Sequence, residues 1–136
     1  MPDFLLVTAA LIIDQGKILA ARRAPNKHLA GYWEFPGGKV EIGESPEQCL
    51  QRELSEEFEA QSSIGEFVME SIYHYEEKSI KLLVYRATLH TSINIMNDHD
   101  KICWLAPDRL RKLRWAPADE PIVEALQGDV SEVLVG

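Results

Sequence analysis

Apolar residues in the first part of the chain form short, nearly unbroken runs separated by polar turns. Residues 4–13 are almost continuously apolar, a pattern typical of a buried strand. Residues 14–16 (Asp-Gln-Gly) provide turn chemistry, and apolar residues resume over 17–21. The pattern therefore predicts an N-terminal β-hairpin.

The second half of the chain repeats this strand pattern. Residues 62–75 and 79–89 read as two strands, and the polar residues 76–78 between them predict a second hairpin. Residues 90–100 are polar and predict an irregular loop, followed by a short strand over 102–105. The chain thus supplies enough strands for a sheet.

Two segments have helical spacing instead. Ser45, Pro46 and Gln48 form a helix start, because Ser can cap, Pro suits the first turn and Gln completes a capping box. Leu50 and Leu54 begin an apolar stripe that recurs every four residues and ends at Phe58. A polar helical turn is expected over 108–113. Pro117 is expected to open a final helix with Ile122, Val123 and Leu126 on one face, while residues 130–135 remain unassigned.

The first helix also carries a cluster of carboxylates. Glu53, Glu56 and Glu57 stand at i, i+3 and i+4 and so project from one side. Like charges at this spacing repel by about 0.2–0.5 kcal/mol per pair, and the C-terminal end of the helix dipole disfavours them further. A solvated acidic face is the common explanation for such a pattern. The alternative is that the carboxylates bind a cation.

The spacing of the surrounding residues favours the cation. Gly38, Glu44, Arg52-Glu53 and Glu56-Glu57 match G-x5-E-x7-R-E-U-x-E-E-x-G-U, where U is bulky and apolar, and this stretch resembles the Nudix box.

Two positions depart from that signature: Glu59 replaces its Gly, and Ala60 its bulky residue. Gly often ends a helix in the left-handed conformation. Glu59 is expected to cost on the order of 1 kcal/mol there, or to force a different exit from the helix. The metal-binding positions are intact, so we interpret the departure as structural.

Composition supports an ordinary soluble globule. The 136 residues are 46% hydrophobic and 26% charged, which suits one domain spanning residues 1–136. The resemblance implies that this α/β domain is a Nudix α/β/α sandwich with a central mixed β-sheet.

Charge excludes one class of partner. With 22 acidic and 14 basic residues the formal charge is −8, which argues against binding a nucleic-acid polymer but leaves a nucleotide substrate open.

Residues 4–13 are too short to span a membrane, and Asp3 argues against a secretory signal, so we expect a cytoplasmic protein. Cys49 and Cys103 are too few for a disulfide framework, and Cys49 is expected to be a packing thiol.

The resemblance extends beyond the box to the MutT-type nucleoside triphosphate pyrophosphohydrolases and their CTP-hydrolysing relatives. Residues 22–24, 34–39 and 117–121, together with Trp104, carry it. It implies that water attacks a phosphorus of a nucleoside triphosphate and releases the monophosphate and pyrophosphate. It also implies Mg²⁺, with Mn²⁺ as a possible substitute. A monomer is slightly favoured.

The resemblance assigns the metal ligands to Glu53, Glu56, Glu57 and the carbonyl of Gly37. One acid from the loop over residues 94–100 is expected to join them. Carboxylate and carbonyl oxygens are the hard ligands that Mg²⁺ prefers. The loop acid is expected to be Asp98, with Asp100 as the alternative.

Arg52 and Glu44 complete the expected catalytic group. Arg52 is placed to hold a carboxylate in position. Glu44 is expected to support this arrangement without binding the metal itself. Glu53, Glu56 and the loop acid all remain candidates for the general base, and a plain surface ion pair is the alternative for Arg52.

The expected nucleotide contacts are Arg23, Gly38 and Lys39 near the phosphates, and Phe35, Lys78 and Asp119 near the base. Asp119 lies where the MutT pattern has a base-reading amide, and a helix cap is its alternative role. An ionised aspartate suits the amino group of cytosine, whereas 8-oxoguanine would require a protonated Asp119 or another donor. We expect 8-oxo-dGTP first, with CTP, dCTP or a modified cytosine nucleotide as the alternative. A non-catalytic binding module is a further alternative.

Overall fold

The N-terminal strand is the centre of the sheet. The computed structural model describes residues 4–128, and strand β1 (Phe4–Asp14) lies between two different kinds of neighbour. It pairs antiparallel with β2 (Lys17–Arg23) as the predicted hairpin, and parallel with β6 (Ser79–Leu89) on its other side. The sheet is therefore mixed, as the sequence predicted.

Four further strands complete the sheet and its edges. The strand order is β3-β2-β1-β6-β5, with β4 pairing to β1 and β7 to β2. The remaining strands are β3 (Trp33–Glu34), β4 (Gly37–Lys39), β5 (Ser62–His74) and β7 (His99–Leu105). The predicted hairpin between β5 and β6 is present.

Strand β7 begins earlier than the sequence indicated. The predicted strand covered residues 102–105, but β7 starts at His99, so His99 and Asp100 belong to the sheet. The pairing with β2 shifts register next to Arg23. This irregularity explains the polar sequence, because bulges disturb the alternation of inward and outward side chains.

Two helices cover opposite faces of the sheet. Helix α1 (Pro46–Phe58) has the predicted capping box, in which Gln48 N donates to Ser45 Oγ and Ser45 N to Gln48 Oε1, at 3.1 and 2.9 Å. Helix α2 (Glu120–Gly128) begins after 3₁₀ turns at Pro107–Lys112 and Pro117–Asp119, three residues later than predicted.

The two hydrophobic cores show the layering directly. Ala10 and Ile12 of β1 pack with the apolar stripe of α1, whereas Ala9 and Leu11 pack on the other face with α2. Successive strand residues point to opposite faces, so one strand serves both cores. The α/β/α architecture is confirmed.

Glu59 answers the question of how α1 ends. Its φ of 51° places it in the left-handed region, and its N–H donates to Ser55 O at 2.9 Å. The helix therefore keeps the exit that Gly normally provides, at the steric cost of a side chain. Cys49 is fully buried beside Thr8, as a packing thiol.

No helix within residues 4–128 is long and apolar enough to cross a membrane. The unassigned residues 130–135 lie outside the described part of the chain.

Candidate active site

The glycine pair brings strand β4 against both β1 and helix α1. A Cβ atom on Gly37 would lie 1.9 Å from the Thr8 carbonyl oxygen, and one on Gly38 would lie 2.3 Å from Glu53 Cδ. Real Cβ atoms do not approach that closely, so Gly37 cannot carry a side chain against the β1 backbone, whereas a side chain at Gly38 would displace the flexible end of Glu53. The carboxylate of Glu53 consequently rests against the β4 backbone.

Arg52 organises the carboxylates around it. Its Nε donates to Glu44 Oε2 at 2.7 Å and its Nη2 to Glu44 Oε1 at 3.0 Å, a bidentate pair. Its Nη1 lies 3.0 Å from Oε1 of both Glu53 and Glu56. Hydrogen bonds from Arg52 lower the pKa of Glu44 to about 2, so this pair stays charged near neutral pH.

Glu53 differs electrostatically from its neighbours. It is half-buried, and this burial raises its pKa above the ordinary value. Arg52 opposes the shift, whereas the negative charges of Glu56 and Asp98 add to it. Glu53 is thus a carboxylate with increased proton affinity that lies among other acids, which is the property of a general base.

The two candidate loop acids have different surroundings. Asp98 Oδ1 pairs with Lys27 Nζ at 2.8 Å, and its charge also acts on Glu53. Asp100 forms a two-pronged pair with Arg22, at 2.8 and 3.1 Å. Asp98 is therefore the loop acid whose charge acts on the box residue Glu53, and the prediction that it binds the metal stays a prediction.

Glu57 does not join the group around Arg52. It is 6% exposed, and its carboxylate accepts from the backbone N–H of Asn97 at 2.8 Å and from that of Asp98 at 2.8 and 2.9 Å. His99 Nδ1 also lies 3.0 Å from Glu57 Oε2. The box helix thus sends Glu57 toward the β6–β7 loop.

His99 is a buried residue that sequence reasoning missed. It lies between two carboxylates, Glu34 and Glu57. Burial opposes its charge, but the two carboxylates outweigh burial and raise the pKa of His99 to about 9. A single histidine in a polar stretch gave no signal of this, because only the sheet register brings its partners together.

The donor set fits a hard divalent cation in its chemistry. Glu53, Glu56, Asp98 and the Gly37 carbonyl offer only oxygen, as Mg²⁺, Mn²⁺ and Ca²⁺ prefer. Within residues 4–128, no three His, Cys, Asp or Glu side chains already converge into a metal-binding group. The guanidinium of Arg52 provides the positive charge beside Glu53 and Glu56 instead.

A cavity of about 700 Å³ is lined by Gly37 and Gly38 of β4, the strand against which Glu53 rests. All six residues predicted to contact the nucleotide line it: Arg23, Phe35, Gly38, Lys39, Lys78 and Asp119. They come from segments far apart along the chain, and only the folded structure brings these six side chains into one cavity.

Asp119 is a buried carboxyl group in the wall of this cavity. It is 5% exposed, and its Oδ2 accepts from the Phe35 backbone N–H at 2.9 Å. Burial, and after it the charge of Glu34, raises the pKa of Asp119 well above the ordinary value. This hydrogen bond ties Asp119 to β3–β4, which favours a pocket role over the helix-cap alternative.

The aromatic walls differ from the expected arrangement. Phe35 is 3% exposed and stacks on Trp115 with ring centroids 4.7 Å apart, so one of its faces is covered. Tyr75, which sequence reasoning missed, also lines the cavity and is partly exposed. Burial raises the pKa of Tyr75, and the charge of Asp119 adds to this. Nothing in the strand pattern around Tyr75 indicated this role.

The basic residues of the cavity are not equivalent. Arg23 Nη1 donates to Glu34 Oε2 at 3.0 Å, and its Nε donates to the His28 carbonyl, so part of its guanidinium is engaged. Lys39 and Lys78 are exposed at the rim, and neither pairs with an acidic side chain in the described part of the chain. The lysine ammonium groups are therefore freer to meet a phosphate.

Known proteins share this arrangement of elements. The NUDIX domain family matches residues 4–126. The chain is 38% identical to the CTP pyrophosphohydrolase of Escherichia coli K12 over 123 residues, 88% of each chain. It is 32% identical to the putative 8-oxo-dGTP diphosphatase 2 of Mycobacterium tuberculosis H37Rv over 135 residues, 94% of each chain.

A solved structure agrees with the sequence comparisons. The solution structure of the MutT protein from methicillin-resistant Staphylococcus aureus 252, named there as a Nudix hydrolase, is 36% identical. The alignment covers 95% of this chain and 99% of that one, with a TM-score of 0.74. Nudix hydrolases generally use divalent metal ions. The box carboxylates, the glycine pair and these similarities together establish that the chain belongs to the Nudix family, as a MutT-like hydrolase.

Proposed function

We propose that the protein is a Mg²⁺-dependent hydrolase that cleaves a (deoxy)nucleoside triphosphate to the monophosphate and pyrophosphate, with 8-oxo-dGTP as the preferred substrate. The observation that carries the choice of base is Asp119, a buried carboxyl group of raised pKa on the cavity wall. Clearing oxidised nucleotides from the precursor pool in the cytoplasm would follow from that preference.

In the proposed site Glu53, Glu56, Glu57, Asp98 and the Gly37 carbonyl would hold the metal. Mg²⁺ there would offset the charge of the triphosphate and make water more acidic. Glu57 is the proposed ligand least available to a metal, because its carboxylate already accepts hydrogen bonds from backbone N–H groups.

The remaining residues orient the reactants. Glu53 takes the proton of the attacking water, since burial increases its proton affinity. Arg52 holds Glu53 through Nη1 and is itself fixed by the fork on Glu44. Lys39 and Arg23 contact the phosphates from the cavity wall.

The preference for 8-oxoguanine follows from the hydrogen-bonding capacity of a neutral carboxyl group. Protonated Asp119 offers one O–H donor and one carbonyl acceptor. 8-Oxoguanine presents an acceptor at O6 beside an N7–H donor, so the two groups match as a pair. Ordinary guanine has an acceptor at N7 and loses one of these bonds. Lys78 and the aromatic side chains then enclose the base.

Cytosine is the second candidate because the same residue, when ionised, only accepts hydrogen bonds. A carboxylate at Asp119 would receive the N4 amino group of CTP or dCTP directly. The 38% identity to a CTP pyrophosphohydrolase supports this alternative. The charge state of one side chain therefore separates the two substrates.

A substrate panel tests the proposal. Initial rates would be measured for 8-oxo-dGTP, dGTP, CTP and dCTP with Mg²⁺ and with Mn²⁺, and products identified by mass. We expect pyrophosphate and the monophosphate, with the highest kcat/KM for 8-oxo-dGTP. A preference of tenfold or more for CTP would replace 8-oxo-dGTP as the substrate. Absence of hydrolysis with every nucleotide would instead favour the non-catalytic binding module.

The proposal also includes the type of substrate and the oligomeric state. The net charge of −8 supports a small-molecule substrate over a nucleic-acid polymer. A monomer is proposed as the working unit, and light scattering coupled to size exclusion would measure it.

A further inference from the structure

We propose that His99 is a positioning residue that joins the metal side of the site to the nucleotide pocket through two separate contacts. Only the expected change in KM rests on the proposed function. Its evidence begins with the sheet, where His99 opens β7 opposite Arg23, at the point where the register of β2 and β7 shifts. Bulges of this kind commonly re-aim a side chain beside an active site.

The shift directs the imidazole inward between two acids. Its Nε2 lies 2.8 Å from Glu34 Oε2, and its Nδ1 lies 3.0 Å from Glu57 Oε2. The contact of Nδ1 is an ion pair without good hydrogen-bond geometry. The side chain is 4% exposed and stacks against Phe58, so solvent cannot take the place of either carboxylate.

The contact with Glu34 continues into the nucleotide pocket. Glu34 Oε2 accepts from both His99 and Arg23, and Glu34 and Arg23 both line the cavity. Without His99, Glu34 would keep one of its two nitrogen partners, and its carboxylate could turn. The His28 carbonyl would still hold Nε of Arg23, but Nη1 of Arg23 would lose its fixed partner at the pocket wall.

The contact with Glu57 continues to the metal side. Glu57 accepts hydrogen bonds from the N–H groups of Asn97 and Asp98, and this fixes the backbone that carries the Asp98 side chain. The charge of Asp98 acts on Glu53. His99 Nδ1 lies 3.0 Å from Glu57 Oε2 and limits the space in which that carboxylate can rotate. His99 therefore sets the position of Asp98 through Glu57, although it contacts neither substrate nor metal.

The two ring nitrogens allow the two contacts to be removed separately. The amide nitrogen of His99→Asn comes closest to the position of Nδ1, and that of His99→Gln to the position of Nε2. The first variant keeps a donor toward Glu57, and the second keeps one toward Glu34. His90→Gln is the matched control, because His90 is an exposed histidine whose ring contacts Ser63 outside the cavity.

The experiment measures metal and nucleotide binding separately. Mn²⁺ binding to the nucleotide-free protein would be followed by electron paramagnetic resonance, and KM would be measured with the best substrate of the panel. We expect His99→Gln to weaken Mn²⁺ binding about tenfold, as for the loss of other outer-shell contacts, while KM changes less than about twofold. His99→Asn should raise KM several-fold and leave Mn²⁺ affinity near wild type.

Equal effects of the two variants on both measurements would overturn the proposal, as would Mn²⁺ affinity and KM that match the His90→Gln control. Both variants keep a polar side chain, and circular dichroism would check their folding. If no nucleotide is hydrolysed by the wild-type protein, the proposed function fails. The Mn²⁺ measurement then still decides the role of His99, because it needs no turnover.

Discussion

The metal side of the site and the base end of the pocket are built over very different distances along the chain. Arg52 and Glu44, which organise the carboxylates, are eight residues apart and belong to one helix and its approach. Phe35 and Asp119, which meet at the base end, are 84 residues apart. The chemistry is thus encoded locally, whereas the choice of base depends on the whole fold.

The two regions also differ in how charge is managed. Glu44, Glu53 and Glu56 share Arg52 and are partly open to solvent. Asp119 is buried, and its shifted pKa results first from burial. Changes on the metal side should therefore alter rate, while changes at the base end should alter preference among substrates.

The largest expected effect comes from Glu53→Gln. The amide keeps the size of the side chain but cannot accept the proton of water, so kcat should fall by about 10²–10⁴. Pyrophosphate release measures it. Glu47→Gln is the control, because Glu47 is an exposed acid in the first turn of the same helix. If hydrolysis of every nucleotide survives Glu53→Gln unchanged, the catalytic assignment of the box is wrong.

A smaller effect of a different kind is expected from Asp119→Ala. Loss of the paired hydrogen bonds should reduce the preference for 8-oxo-dGTP over dGTP by about tenfold, within the 1–3 kcal/mol of a bidentate base contact. Competition kinetics with the two nucleotides measure this ratio. An unchanged ratio accompanied by a large loss of kcat would mean that Asp119 belongs functionally with the box carboxylates, and the contrast between the two regions would disappear.

The preference for 8-oxo-dGTP over CTP should change several-fold with pH. Asp119 is neutral below its raised pKa and ionises as the pH increases through it, so the donor to O6 is lost on the alkaline side. The ratio of kcat/KM for 8-oxo-dGTP over CTP should fall as pH rises. Asp119→Asn, whose amide does not titrate, should flatten that profile. A wild-type ratio that does not change over the pH range in which the protein stays folded would contradict the neutral-carboxyl mechanism.

The same pKa shift has a consequence for stability. A carboxyl group whose pKa is raised by folding favours the folded state at low pH, and this contribution is lost as pH rises toward the folded pKa. The Tm of the wild type should therefore decline with increasing pH more steeply than that of Asp119→Asn. Thermal unfolding of both proteins across this range provides the comparison.

The smallest effect is expected from a substitution at Glu59, which belongs to neither the metal side nor the base end of the pocket. Glu59 has a left-handed backbone at the end of α1, and its side chain is exposed. Glu59→Gly should relieve about 0.5–1 kcal/mol of strain and raise Tm by a few degrees, with kcat unchanged. Ser55→Gly, an exposed site inside the same helix, is the control and should lower Tm. A loss of activity in Glu59→Gly would show that the helix end contributes to the metal side.

The sequence by itself determined most of the elements and the local half of the site. Strands β1, β2, β5 and β6 and the capped helix followed from periodicity and turn residues, because these depend on neighbours within a few positions. The short strands β3 and β4 and the start of β7 were not predicted. The box spacing likewise indicated Glu44, Arg52, Glu53 and Glu56, which the structure brings together around one guanidinium. The α/β/α layering followed from the family resemblance.

Only the tertiary structure decided the rest. It paired Asp98 with Lys27 and Asp100 with Arg22, and it turned Glu57 toward the loop amides. It also placed His99 and Tyr75, which no local pattern distinguished. Each of these outcomes depends on strand register or on burial by distant segments. Those quantities set hydrogen-bond partners and pKa values, and they exist only after the chain has folded.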